Sequence, residues 1–148
     1  MSTYDLDFHA WAVEQADAVR RRSANEIDWD NLAEELDSLG RSQKSELHSR
    51  YLVLLTHLLK WMCQPGFRSR SWRSTIAEQR RAIAKHLREN PSLQAEESEE
   101  FGDAYIAARA EAEAQTGLSP ETFPEQPPFS SAQAMSADFW PGGDAPSQ

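Results

Sequence analysis

The chain has 148 residues, a formal net charge of -9 and a single cysteine. A length of this order suits one domain that buries its own core without a disulfide or a metal, and the lone Cys63 excludes an intramolecular disulfide and fits a reducing, cytoplasmic compartment. The negative charge argues against a general binder of nucleic acid or of a membrane surface. The N-terminus has no basic segment followed by an apolar one, and the longest apolar run, residues 51–59, falls short of the roughly 20 residues that span a bilayer.

The predicted elements are helices. Val and Ile are scarce, no stretch alternates apolar and polar residues over a strand length, and Ala, Leu, Glu, Arg and Gln abound. A first helix is predicted over 6–22, with Asp5 or Asp7 accepting from its free N–H groups and Arg20, Arg21 and Arg22 at its negative end. Its inward face is Phe8, Trp11, Gln15 and Val19. A second helix starts near Asp28, with Ile27 and Leu32 in the staple positions and Trp29, Leu32, Leu36 and Leu39 as its buried stripe. Gly40 ends it or permits a bend.

The third helix, 42–62, repeats Leu47, Tyr51, Leu54, Leu58 and Trp61 at spacings of three and four, widened by Leu55, Leu59 and Met62. A face that broad places it at the centre of a bundle. Pro65-Gly66 breaks the chain. The fourth helix, 71–89, turns Trp72, Ile76, Ile83 and Leu87 inward and ends at Asn90-Pro91. The fifth follows Pro91, with an irregular first turn, and runs to Gln115. It buries Phe101, Tyr105, Ala108 and Ala112, with Ile106 at the edge and Gly117 as its left-handed terminator.

From Leu118 prolines 120, 124, 127, 128 and 141 rule out a long helix, but Phe123, Phe129, Phe139 and Trp140 keep the segment from reading as disordered. It is expected to lie extended over the bundle, with one helical turn near 131–135 and a loose end beyond about 141. The architecture is therefore an all-α single-domain bundle of about five helices (1–117), with a Pro-rich C-terminal tail (118–148) packed over it.

Charge is segregated. Residues 1–59 carry a net -5, residues 60–90 a net +6 and residues 91–148 a net -10. No catalytic or metal motif is present: there is no Cys pair, H-E-x-x-H, P-loop or G-x-S-x-G. Three features remain. His57 borders the apolar face of the third helix near Lys60 and Trp61, and Asn31 and Glu35 flank the stripe of the second. Were helices two and three packed antiparallel, Glu35 would orient and charge His57, the pattern of a general base or a metal ligand with its second shell. One imidazole with one or two carboxylates falls short of a zinc set.

The basic fourth segment is the second feature. Arg73, Arg80, Arg81 and Arg88 form a helical stripe beside Trp72, suited to phosphates or stacked bases. The acidic second and fifth helices offer enough carboxylates to answer it. The third is the count of five tryptophans, four of them on predicted core stripes. Packing explains such residues, and so does a partner groove, because Trp is enriched in binding hot spots.

The order of several blocks resembles one family. These are YDLDFHAWAVEQA at 4–16, IDWDNLAEELDSLGRSQKSELHSR at 27–50, LLTHLLKWMCQP at 54–65, RSRSWRSTIAEQRRAI at 68–83, ENPSL at 89–93, TFPEQPPF at 122–129 and ADFWP at 137–141. Together they resemble the bacterial domain-of-unknown-function family 29, short helical proteins common in cyanobacteria and found in proteobacteria. The resemblance implies a helical bundle of the bacterial cytoplasm with no assigned activity. It places recurrent polar and aromatic positions on Asn31, Glu35, His57, Lys60, Trp61, Ser71, Trp72, Gln79 and Arg80. Pro127-Pro128-Phe129 stands where the family pattern has Cys-Pro-Tyr, and the run from Glu96 to Glu100 is unusually acidic.

The expected function is a non-enzymatic protein-interaction module whose partner is another protein or a second copy, engaging Asn31, Lys60, Trp61, Trp72, Arg73, Gln79, Arg80 and Arg81. The alternatives are an enzyme or metal-dependent hydrolase centred on Glu35 and His57, and nucleic-acid binding through the fourth helix. No cofactor, resident metal or membrane is expected.

Overall fold

The structure, a computed structural model, describes residues 3–142. The expected loose end of the tail lies, beyond Gly142, outside the described residues. Six α-helices occur among the described residues: α1 (Thr3–Leu6), α2 (Phe8–Arg20), α3 (Trp29–Cys63), α4 (Arg70–Glu89), α5 (Glu97–Thr116) and α6 (Ser131–Met135). Among the described residues there is no strand, and no helix is long and apolar enough to cross a membrane. The chain divides into two compact units between Ser42 and Gln43.

The N-terminal unit is a helical hairpin. The helix predicted over 6–22 is α2, and Asp7, one of its two expected caps, accepts from the Ala10 N–H. A short helix before it, α1, was not expected. Behind Arg22, a left-handed residue at φ 56°, a 3₁₀ turn over Ala24–Glu26 reverses the chain. Trp11, Gln15 and Ala18 face inward, while Phe8 and Val19, expected beside them, are exposed.

The second and third predicted helices are one helix. α3 runs unbroken through Gly40, which keeps right-handed dihedrals and would meet nothing with an added Cβ. Strong helix formers on both sides and the lack of a proline outweigh the roughly 1 kcal/mol that a glycine costs. The expected burial of the stripe at its N-terminal end is not found. Trp29, Leu36 and Leu39 are each 60% exposed, and Leu32 is half-buried.

The second unit holds the main apolar core. Leu47, Tyr51, Leu54, Leu55, Leu58 and Leu59 of α3 are fully buried against Ile76, Ile83 and Leu87 of α4 and Phe101, Tyr105, Ala108 and Ala112 of α5. The inward stripes read from spacing are thus the observed ones, except that Trp72 is half-buried and Ile106 lies on the surface at 70% exposure. Ser69 caps α4, a 3₁₀ turn over Pro91–Glu96 precedes α5, and Gly117 ends α5 at φ 71°.

The tail belongs to this core. Phe123, Phe129 and Ala134 are buried in it, and α6 sits where the helical turn was expected, closed by a capping box of Ser130 and Gln133. Side chains of the bundle bind the tail's otherwise unpaired carbonyls. Arg109 Nε donates to Phe123 O at 3.0 Å, and Tyr105 OH to Pro124 O at 2.6 Å. Arg80 Nε donates to Ala134 O and Nη2 to Phe139 O, both at 2.7 Å. Arg68 Nη2 reaches Gly142 O at 3.2 Å. Gly142, at φ 81°, passes so close that an added Cβ would lie 3.1 Å from the Met62 backbone.

Two buried groups, the Tyr51 hydroxyl and the Trp61 indole N–H, have no hydrogen-bond partner among the described residues. Burial first, then the nearby Glu97 carboxylate by its charge and by its approach to the hydroxyl, push the Tyr51 pKa up. Replacing both members of a hydrogen bond by apolar atoms is nearly neutral, whereas an unpaired buried hydroxyl is a cost. Tyr51→Phe is therefore expected to leave stability unchanged or raise it by about 1 kcal/mol in urea unfolding. A clear loss would show that the hydroxyl is satisfied.

Candidate functional site

Polar residues of the N-terminal unit form a hydrogen-bonded network around Asp28, with a separate Tyr4–Glu35 bond beside it. Asp28 precedes α3, and its carbonyl accepts the first helical bond, from Leu32 N–H. Its carboxylate Oδ2 accepts from Trp11 Nε1 at 2.9 Å and from Asn31 Nδ2 at 2.8 Å. These bonds, that of Asn31 first, hold the Asp28 pKa below the ordinary carboxylate range. Gln15 closes the network by accepting from Asp28 N–H at 2.7 Å and donating to Glu26 O at 3.2 Å. Glu35 accepts from Tyr4 OH at 2.5 Å, which raises the phenol to about 12. Tyr4, Phe8 and Trp11 pack ring on ring, with centroids 4.7 to 5.7 Å apart.

Above this network lies an apolar groove of 360 Å³, walled on α2 by Ala12, Ala16, Val19 and Arg20 and on α3 by Leu32, with Trp11 in its floor. Helical spacing continues the α3 wall through Trp29, Leu36 and Leu39. The exposed acids Asp30, Glu34 and Asp37 lie on a different side of the same helix.

Asn31 and Glu35 are thus brought together with Tyr4, Trp11 and Asp28, and not with His57. The antiparallel packing that would join Glu35 to His57 does not form, because both residues lie on α3, about six turns apart. Each has its own local partner. His57 Nδ1 lies 2.9 Å from Val53 O. A carbonyl only accepts, so Nδ1 carries the proton and Nε2 keeps its lone pair. Burial first, and the Lys60 charge second to it, lower the His57 pKa, against the opposing bond to Val53.

Because that pKa is depressed, the unfolded chain binds the proton more tightly than the folded one. Stability is therefore complete above pH 6.5 and falls as the pH drops below it. His57→Gln is expected to remove that part of the decline between neutrality and pH 5, read as melting temperature against pH. An unchanged profile would assign the decline to other groups.

Lys60 lies 4.7 Å over the Trp72 ring and donates to Gln115 Oε1 at 2.8 Å, with its pKa lowered by burial. Trp61 is buried with its indole N–H unpartnered among the described residues, its ring between Trp140 and the Arg68 guanidinium. Gln79 accepts from Arg50 at 3.4 Å. Arg80 is buried, bonded to the tail and stacked 5.1 Å from Trp140, so it serves the fold rather than an open surface. Burial lowers its pKa to about 10. Arg73 is half-buried and Arg81 exposed.

The carboxylates expected to answer the basic helix do not do so at its outer face. Among the described residues Arg70, Arg81, Lys85 and Arg88 form no salt bridge. Glu96, the last residue of the 3₁₀ turn before α5, and Glu100 of α5 instead pair with Lys44 of α3, each at 3.6 Å. No cluster of three His, Cys, Asp or Glu side chains positioned to hold a metal occurs among the described residues.

Reading from sequence assigned Trp29, Leu36 and Leu39 to the core. The signal against that was present: this short stripe is followed by the far broader one from Leu47 onward, and one hairpin partner cannot cover both. Tyr4 and Asp28 were seen only as part of a motif and as a cap.

Neither the curated proteins nor the solved structures include a significant match to this chain. A family match described as "Domain of unknown function DUF29" covers residues 3–140, nearly all of the chain, and the protein belongs to that family.

Proposed function

We infer that the chain is a protein-interaction module and that its docking surface is the apolar face of the N-terminal unit. One observation carries this. Among the described residues nine large hydrophobic side chains are strongly exposed, and seven of them (Leu6, Phe8, Val13, Val19, Trp29, Leu36 and Leu39) fall within the first 42 residues. Singly exposed apolar residues are ordinary, but a concentration beside a groove is the mark of an interaction site. The polar contacts beneath support the same reading, because Gln15 and Trp11 of α2 bond Asp28 at the start of α3, and Tyr4 of α1 bonds Glu35 of α3, which fixes the helices of this unit in register. The lone Cys63 supports a cytoplasmic setting.

The test compares the wild-type chain with Leu36→Asp/Leu39→Asp, both captured at matched level from the native cytoplasm. A protein held in stoichiometric amount by the wild type and lost by the variant is expected. Equal recovery of the same proteins by both would overturn the reading.

The unpaired cations on α4 favour a second reading, nucleic-acid binding. It predicts retention on DNA or RNA that weakens steeply with salt and is lost in Arg81→Glu/Lys85→Glu. Absence of retention at low salt removes it.

A further inference from the structure

We propose that Lys60 is a modification site, whose amine takes an acyl group from a thioester with His57 as the proton acceptor. The site lies in the second unit and does not depend on the docking surface.

The chain has three lysines, Lys44, Lys60 and Lys85, and the fold gives them different surroundings. Lys44 lies 3.6 Å from each of two carboxylates, Glu96 and Glu100, and the Glu96 charge first holds it as an ammonium by raising its pKa. Lys85 is exposed on the outer face of α4. Lys60 is half-buried and forms no salt bridge among the described residues. Its Nζ lies 4.7 Å over the Trp72 ring of α4 and donates to Gln115 Oε1 of α5 at 2.8 Å, a bond at the protein surface. These neighbours hold the nitrogen in place without a full negative charge to keep it protonated. Glu111, the carboxylate that acts on it from α5, is itself engaged by Gln115 Nε2 at 2.9 Å. Burial outweighs that charge and lowers the Lys60 pKa. More of the free amine, the nucleophilic form, is therefore present near neutrality than at an ordinary lysine.

His57 supplies the other half of the site. It stands one turn before Lys60 on α3. Helical side chains lean toward the N-terminus, which carries the Lys60 stem back over that turn. The two are close enough for the Lys60 charge to act on the imidazole, whose pKa burial lowers first. The ring is thus neutral at neutral pH. Its Nδ1 donates to Val53 O at 2.9 Å, which leaves the Nε2 lone pair to take a proton.

The Lys60 amine attacks the thioester carbonyl carbon. The C–N bond forms, the C–S bond breaks, and the sulfur leaves with the bonding pair as a thiolate. The surplus proton on nitrogen passes to His57 Nε2 and from there to the thiolate, which departs as a thiol. The product is a neutral amide, so the attraction of the cation for the Trp72 face ends.

The probe is an uncharged acetyl thioester, S-acetyl-N-acetylcysteamine, added to the folded full-length chain near neutral pH. Acetylation of each lysine is followed in time by mass spectrometry of proteolytic peptides. Lys60 is expected to react roughly tenfold faster than Lys44 and several-fold faster than Lys85. In urea, where the surroundings are lost, the three are expected to react alike. His57→Gln is expected to slow Lys60 roughly tenfold or more and to leave Lys44 and Lys85 unchanged. The comparison of the three lysines in the wild type needs no variant and decides the matter if His57→Gln fails to fold. A Lys60 that reacts no faster than Lys85 overturns the proposal. A folded His57→Gln chain in which Lys60 reacts as fast as in the wild type overturns the role given to His57.

Discussion

Truncation after Gly117 is expected to abolish cooperative unfolding of the second unit. The removed segment supplies Phe123 and Phe129, which are 1% and 4% exposed, and Ala134, which is fully buried. Burying a Phe side chain contributes about 1.5–3 kcal/mol. The cut also strips Arg80, Arg109 and Tyr105 of the carbonyls they bind, and a buried donor left unsatisfied costs about 1–3 kcal/mol more. Those losses together reach the whole stability of an ordinary domain, about 5–15 kcal/mol. Thermal and urea unfolding followed by circular dichroism are expected to show a broad, shallow change in place of a transition. A truncated chain that unfolds sharply, near the midpoint of the full one, would show that the tail is an accessory.

Arg80→Ala is expected to cost about 2–4 kcal/mol, the largest loss from any single arginine. Two charge-assisted bonds disappear, each worth about 1.5–3 kcal/mol, and the desolvation of the guanidinium is recovered in part. Burial lowers the pKa to about 10, so the group stays charged at neutral pH. Arg80→Lys keeps the charge but not the fork that serves Ala134 O and Phe139 O together, nor the plane that stacks on Trp140, and is expected to recover less than half of the loss. Arg81→Ala, one position along on the exposed face, is expected to stay within about 0.5 kcal/mol. Equal effects at 80 and 81 in urea unfolding would contradict the division between an internal and an external arginine.

Most of the second unit was legible in the sequence because its signals are local and redundant. Leu47, Tyr51, Leu54 and Leu58 declare a buried face by spacing alone. Gly117 declares a left-handed stop, and Ser130 with Gln133 declares a short capped helix. The aromatic residues of the tail distinguished a packed strap from a disordered end. What spacing could not supply was partnership between distant segments. Arg80 looks like its neighbour Arg81 in sequence, and only the arrival of residues 134 and 139 over α4 separates them. The Tyr4–Glu35 bond spans 31 positions, and nothing local announces it.

The N-terminal unit misled for a different reason. Periodicity shows that a helix has an apolar face, not that anything in the same chain covers it. Trp29, Leu32, Leu36 and Leu39 have the spacing of a core stripe, and the expectation of burial followed. Gly40, for its part, suggested an end or a bend that would let two helices pack against each other. With the break absent, the imagined Glu35–His57 pair dissolves, and the apolar stripe is left facing outward.

The central claim is that this outward face is covered by protein in the cell. It is tested most directly by placing a photo-crosslinking amino acid at position 36, at position 39 and, as a control, at Ile106, which is exposed at 70% on the second unit. Illumination of intact cells is expected to give a discrete protein adduct from positions 36 and 39 and none from 106. An adduct of twice the mass of the chain would mark a second copy, and any other mass a different partner. Failure of both 36 and 39 to give an adduct above the level at 106 would contradict the account.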